Sequence, residues 1–376
     1  MAVYFDNAAT TKPCEEAVDA IMAALTVNYG NPSSLHRAGL DAQLAVDGAR
    51  KSIAAALGCE SRCILFTSGA TESNNLAIRG AAAAYGRRKK KIVLSSVEHP
   101  SVGETVSDLE KNGFEAVRVH PRDDGRFYAA DFVNACDENT CLITMMQVNN
   151  ETGYILPVIE TFSAVKRRFP EIITHCDCVQ AFMKLPVSTK KLGADLISVS
   201  GHKIHAAKGV GALYVSRGTR LTPVITGGKQ EGGIRSGTES VPLIAGFGAA
   251  ADKLQPTINQ RFERVSELKR YFLERLAEIE EVKVNSPEDG SPYVVNISAV
   301  GRRSEIMLHF LEKREIYVSS GSACSKGAQS GVLAEFGFDG RRADSALRIS
   351  MTADNTESEI DLLVQAIKDG YSEVRG

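Results

Sequence analysis

Residues 172–203 read IITHCDCVQAFMKLPVSTKKLGADLISVSGHK. Two apolar runs, 172–176 and 196–200, each lead straight into polar residues: Asp177 after the first, and Ser200-Gly201-His202-Lys203 at the end of the second. The runs are continuous rather than alternating, the pattern of strands covered on both faces, and the stretch between them is long enough for a parallel crossover. The same alternation extends outward over about residues 50–215, with further runs at 63–67, 92–96, 116–119, 141–148 and 211–215. An α/β fold with a mostly parallel seven-stranded sheet is predicted. Other runs also end in polar clusters, at Ser68-Gly69-Ala70-Thr71-Glu72-Ser73, Glu98-His99 and Asn149-Asn150-Glu151. In an open sheet of this kind the ligand crevice lies beyond the carboxyl ends of the strands, so these clusters are expected to converge.

After residue 250 the texture changes. Ile258, Phe262, Val265, Phe272, Leu276 and Ile279 recur at helical spacing, strands are predicted at 282–285, 293–300 and 316–319, and an amphipathic helix surrounds Ile306, Met307, Phe310 and Leu311. A last helix opens on a capping box, Thr356 with Glu359. The mixed order predicts a smaller α+β domain, made of residues 1–13 and 251–376, beside a large domain of residues 14–250. Within the smaller one, ten of the thirteen residues 319–331 are Ser, Gly or Ala, with Cys324 in the middle. A loop so poor in packing side chains is expected to be mobile.

Composition narrows the function classes. With 43% hydrophobic and 24% charged residues, the 376-residue chain has the make-up of a globular enzyme rather than a disordered one. A net charge of -2 gives no long-range attraction to nucleic acid. The one basic run, Arg87 to Lys91, reads as a solvated connection. Eight cysteines lack the C-x-x-C spacing of structural zinc, and the opening Met-Ala-Val-Tyr-Phe-Asp has no secretory pattern. Reduced thiols in a cytoplasm, no metal and no membrane span are therefore expected.

The turn Ser68 to Glu72 reads as strand, glycine, helix start, capped by Thr71; such a helix end can hold a phosphate, though a plain βα turn has the same look. No Walker lysine or G-x-G-x-x-G accompanies it. Asp177 and Lys203, twenty-six positions apart at two strand ends, fit what pyridoxal 5'-phosphate requires: a lysine to hold it and an acid for its ring nitrogen. Lys208 reads as a solvated loop residue. His99 fits a bonded crevice histidine and a catalytic one equally well. Cys176 and Cys178 read as buried small hydrophobes, while Cys324 is a spare surface thiol or a nucleophile.

These residues also carry a resemblance. The chain resembles the cysteine desulfurases of the NifS and IscS type, in the class V branch of fold-type I pyridoxal phosphate enzymes. The likeness runs through residues 4–11, 30–36, 67–75, Glu98-His99, 148–153, Asp177-x-x-Gln180, 200–203, 235–238 and 320–324. It implies Lys203 as the Schiff-base lysine, Asp177 at the pyridine nitrogen and Gln180 at the ring hydroxyl. It also implies His99 stacked on the ring and moving protons, Asn150 lining ring and substrate, and Ala70, Thr71, Ser200 and His202 around the phosphate. Thr238 would reach that phosphate from a second subunit, making a homodimer; Arg348 would grip the substrate carboxylate, and Cys324 would take sulfur from L-cysteine as a persulfide for an acceptor protein. Selenocysteine lyase or aminotransferase activity, or a non-enzymatic sulfur carrier, stand as alternatives. Three departures from the family pattern, His205-Ala206-Ala207, Lys229 and Met351-Thr352, remove none of these side chains.

Overall fold

The structure, a computed structural model, describes residues 2–321 and 331–373. The chain opens with a short strand, β1 (Val3–Tyr4), and then builds the large sheet from β2 (Ile64–Thr67), β3 (Lys91–Ser95), β4 (Glu115–Val119), β5 (Thr140–Met146), β6 (Ile173–Asp177), β7 (Leu196–Ser200) and β8 (Gly211–Val215). The order is β2-β8-β7-β6-β5-β3-β4. Only β8 runs against its neighbours; every other pairing is parallel. The predicted seven-stranded, mostly parallel sheet is present, with Asp177 as the last residue of β6 rather than the first after it.

All residues of β5, β6 and β7 are buried, as the unbroken apolar runs require of strands with a helix layer on each face. Strand order reverses direction between β3 and β5, which opens a crevice at the carboxyl ends of the strands. The helix Ala70–Tyr85 leaves β2 through Gly69, whose φ of 152° is open to glycine and strained for other residues. Gly69, not Thr71, is the N-cap, and no side chain caps this helix. The sequence reading placed the cap two residues late, because a hydroxyl residue near a helix start is the usual signal and glycine leaves none.

A second sheet joins β9 (Val282–Val284), β10 (Val294–Ala299), β12 (Ser319–Ser320) and β13 (Ala346–Ser350) in the order β12-β13-β10-β9, all antiparallel. β11 (Ile316–Tyr317) pairs instead with β1, in parallel. The run at 316–319 is thus two short strands rather than one, and β13 was not foreseen. With Arg348 at its centre, β13 does not read as a strand, yet that arginine is 3% exposed. The final helix Glu357–Glu373 starts on the expected reciprocal cap: Glu359 N–H donates to Thr356 Oγ1 at 3.2 Å, and Thr356 N–H to Glu359 Oε2 at 2.9 Å. Helix Ile258–Leu276 packs Val265, Leu268 and Phe272 into an apolar cluster with Val295, Ile297 and Ile360.

Close approach fixes the base of the crevice. A Cβ on Gly211, at the start of β8, would lie 2.7 Å from Val199 O and 2.8 Å from the backbone of Gly69. Gly211→Ala is expected to push β8 off the phosphate-side turn and cost about 1–3 kcal/mol, seen as a lower denaturant midpoint at unchanged slope. An unchanged midpoint would show that the two backbones are not in this contact.

Candidate active site

The strand ends and the N-terminal segment enclose a cleft of about 680 Å³. From the β2 turn come Ala70 and Thr71, after β3 His99, after β5 Asn150, from β6 and its continuation Asp177 and Gln180, and after β7 Ser200, His202 and Lys203. Arg348 reaches in from β13. Every sequence-derived site residue within the described chain therefore faces one cavity, except Thr238, which is exposed and is not among the lining residues. Cys324 lies outside the described residues; Ser319 and Ser320, just before that stretch, line the cleft. Lys208, expected in a loop, is exposed and sits at the rim.

Lys203 carries the site's main electrostatic demand. Its Nζ donates to the carbonyls of Ala8 at 2.5 Å and Ala9 at 2.7 Å. Burial pushes its pKa down to about 8, and the Arg348 cation acts in the same direction. Arg348 is held by Asp6 Oδ1 at 3.0 Å and donates to Asn150 O at 3.1 Å, while its Nε is buried without a partner. Except for Asn150, these partners belong to the N-terminal segment, whose own residues carry no sign of the role.

Asp177 is 5% exposed and its carboxylate is oriented from both sides. Val179 N–H donates to Oδ1 at 3.0 Å, and Asn74 Nδ2 to Oδ2 at 2.8 Å. Because a carboxylate only accepts, this contact fixes the Asn74 amide. Its other N–H donates to Ser101 Oγ at 2.9 Å, which leaves the Ser101 hydroxyl proton to be given to His99 Nδ1 at 2.8 Å. Ser101 N–H donates to the same Nδ1 at 3.1 Å. With two donors aimed at Nδ1, the neutral ring carries its proton on Nε2. Burial lowers the His99 pKa, Lys203 adds to that, and Asp177 opposes it.

Beside His99, the Glu98 carboxyl bridges β3 and β5, accepting from Ser95 Oγ and, at 2.8 Å, from Met146 N–H. Burial raises its pKa to about 8, so it is mostly protonated at neutral pH. His202, which contacts Thr10 Oγ1 at 3.3 Å, is pushed down to about 4, first by burial and then by the Lys203 charge, and is neutral. Among the described residues no group of three His, Cys, Asp or Glu is arranged for a metal ion.

The cleft fits pyridoxal phosphate on its own evidence. The N–H groups at the start of helix Ala70–Tyr85 have no side-chain cap, and the Ser200 hydroxyl beside them is 1% exposed with no hydrogen-bond partner. Free donors at an uncapped helix start favour an anion.

Comparison with known proteins agrees with this geometry. The family model described as aminotransferase class-V matches residues 3–363. The chain belongs to the class-V aminotransferase family. It is 38% identical to a NifS/IcsS protein homolog of Lactobacillus delbrueckii subsp. bulgaricus, over 98% of this chain and 97% of that protein. To a cysteine desulfurase IscS of Pasteurella multocida it is 39% identical, over 100% and 94% of the two chains. A solved NifS-like protein superposes with a TM-score of 0.94 at 34% identity, covering 99% of this chain and 100% of that one. The family resemblance drawn from the motifs holds over the whole length, and this class-V chain has the fold of the type I pyridoxal phosphate enzymes.

The chain from Asp177 through Asn74 and Ser101 makes a prediction for the protein without cofactor. Ring-nitrogen NMR of 15N-histidine protein is expected to show His99 as the Nε2–H tautomer at pH 7, protonating only below the ordinary 6.5. An Nδ1–H tautomer would contradict the donor directions.

Proposed function

We propose that this protein is a cysteine desulfurase that uses pyridoxal 5'-phosphate to take sulfur from L-cysteine, releasing L-alanine and leaving a persulfide on Cys324. The observation that carries the reading is the convergence of Lys203, Asp177 and Arg348 on one cleft beside an uncapped helix start and the unpartnered Ser200 hydroxyl. A solved relative described as SspA in complex with cysteine, 32% identical with a TM-score of 0.83, supports the substrate.

When bound, the cofactor supplies an electron sink for the pair released at the substrate carbon. The residues divide the remaining work. Lys203, with its pKa brought down to about 8, has a sizeable neutral fraction near neutral pH, and this free amine is what attacks a carbonyl or accepts a proton. Asp177, already oriented by Asn74 and Val179, would keep a proton on the cofactor's ring nitrogen by charge. His99, neutral and bearing Nε2–H, would lie beside the cofactor ring and hold or pass on a proton there. Ala70, Thr71, Ser200 and His202 would hold the phosphate, Gln180 the ring hydroxyl, Asn150 the ring and substrate, and Arg348 the substrate carboxylate through its planar fork. The Cys324 thiolate attacks the substrate sulfur; an S–S bond forms as the C–S bond breaks, with the bonding pair left on carbon.

Thr238, exposed on its own subunit, completes the phosphate site of a second copy, which makes the working unit a homodimer. Residues 14–250 form the cofactor-binding domain and residues 1–13 with 251–376 the smaller one, a division supported by the separate apolar cluster around helix Ile258–Leu276. The persulfide passes to an acceptor protein, in iron–sulfur cluster assembly or tRNA thiolation. A cytoplasmic setting suits a reactive thiol; the seven described cysteines are all free, and no described helix is long and apolar enough to cross a membrane.

Incubation with pyridoxal phosphate and L-cysteine is expected to yield alanine and a 32 Da adduct, about one sulfur, on Cys324 by peptide mass spectrometry, and none in Cys324→Ala. An adduct elsewhere, or keto acid in place of alanine, would refute the assignment. Arg348→Lys, which loses the two-donor fork, is expected to raise KM for L-cysteine about tenfold to a hundredfold, measured by steady-state alanine release. An unchanged KM would remove Arg348 from the substrate site.

A further inference from the structure

Lys184 is a buried cation that the chemistry above does not use. It is 6% exposed and stands four residues after Gln180, in the run of turns that continues from β6. Its Nζ donates to Gln180 Oε1 at 2.8 Å and lies 5.9 Å from the centre of the Tyr293 ring. On its other side, Gln180 Nε2 donates to Ala8 O at 2.9 Å. As an ammonium, lysine offers three N–H donors and no acceptor, and the Ala8 carbonyl only accepts, so the atom facing Lys184 is the amide oxygen. Both ends of Gln180 are thereby assigned: oxygen toward Lys184, nitrogen toward Ala8 and the cleft, with one N–H of the pair still free.

We propose that Lys184 is a positioning residue that sets the polarity of the Gln180 amide, so that a donor rather than an acceptor meets the ring oxygen of the cofactor. The proposal rests on the cleft being a pyridoxal phosphate site. A side-chain amide can turn end for end at little cost, and turned around it would present oxygen to a ring oxygen that carries negative charge. The Lys184 ammonium opposes that alternative together with the Ala8 carbonyl, since its N–H would then face an NH2 group and the carbonyl would face an amide oxygen. The arrangement favours the ionised ring oxygen. Burial first, and then the Lys203 and Arg348 charges, bring Lys184 down to about 7, and the Tyr293 hydroxyl is buried without a partner. Keeping a desolvated cation against two others needs a return, and the orientation of Gln180 is the one visible in its contacts.

The test uses the full-length protein loaded with pyridoxal phosphate and reads the midpoint of the pH titration of its long-wavelength absorbance. Lys184→Met is expected to raise the midpoint by about half a unit to one unit, the size of one lost hydrogen bond to the ionised form. Lys184→Arg, which keeps a donor, is expected to hold the wild-type midpoint. In a Gln180→Ala background, Lys184→Met is expected to shift nothing further. An unshifted Lys184→Met overturns the proposal. So does an equal shift with and without Gln180, which would mean that the lysine acts through its charge alone. If Lys184→Met does not fold, a Lys184→Arg midpoint as high as that of Gln180→Ala overturns it equally. Wild-type protein with no cofactor absorbance would instead refute the cleft assignment itself, and this inference with it.

Discussion

An ammonium group placed at the end of a buried sheet must find oxygen atoms to replace water, and that requirement organises this molecule. Lys203 finds them on the backbone of the first ten residues, in the carbonyls of Ala8 and Ala9. Leaving such a group unpartnered costs several kcal/mol, so the N-terminal segment is bound to the sheet as firmly as the lysine needs its solvation. The same segment meets a second buried cation, through Asp6 to Arg348. Thr11 adds a third tie, its N–H and Oγ1 both donating to His202 O, at 2.9 and 3.0 Å. One short stretch thus joins the β7 turn, β13 of the second sheet and, as β1, the strand β11.

The consequence for chemistry is a cleft rich in positive charge but held neutral where proton transfer is needed. Lys203 and Arg348 supply positive potential for an anionic ligand, and their mutual repulsion with burial lowers the lysine pKa toward the working range. His99 and His202 are kept uncharged by the same burial and the same neighbour. Asp177 is oriented in a different way, by fixed donors from Asn74 and Val179 rather than by a cation in contact. Each group is set by its partners, and the partners come from different elements.

Much of this was legible in advance. The continuous runs at 172–176 and 196–200 had to be buried strands, and the polar residues after them had to lie at one edge. The capping box at Thr356 named the last helix correctly because its signal is local. Elements failed where the signal was not local. β13 carries a buried arginine that is tolerable only because Asp6 faces it, so its own residues do not look like a strand. Gly69 replaced Thr71 as the helix cap because the requirement there is an unusual φ, which a hydroxyl pattern does not reveal. Lys184 did leave a trace, four residues after Gln180, but that spacing has meaning only once the turns between them are known to bring the two side chains together.

By itself the sequence determined the sheet, the edge at which the site lies, the lysine and acid that face each other there, and, through its ordered motifs, the family. The tertiary structure alone decided what holds those groups in their working states. The partners of Lys203 and Arg348 lie between 194 and 342 positions away, and three of the four are backbone carbonyls. A carbonyl is the same in every residue, so no residue pattern can mark the ones that a folded chain will bring to a buried charge.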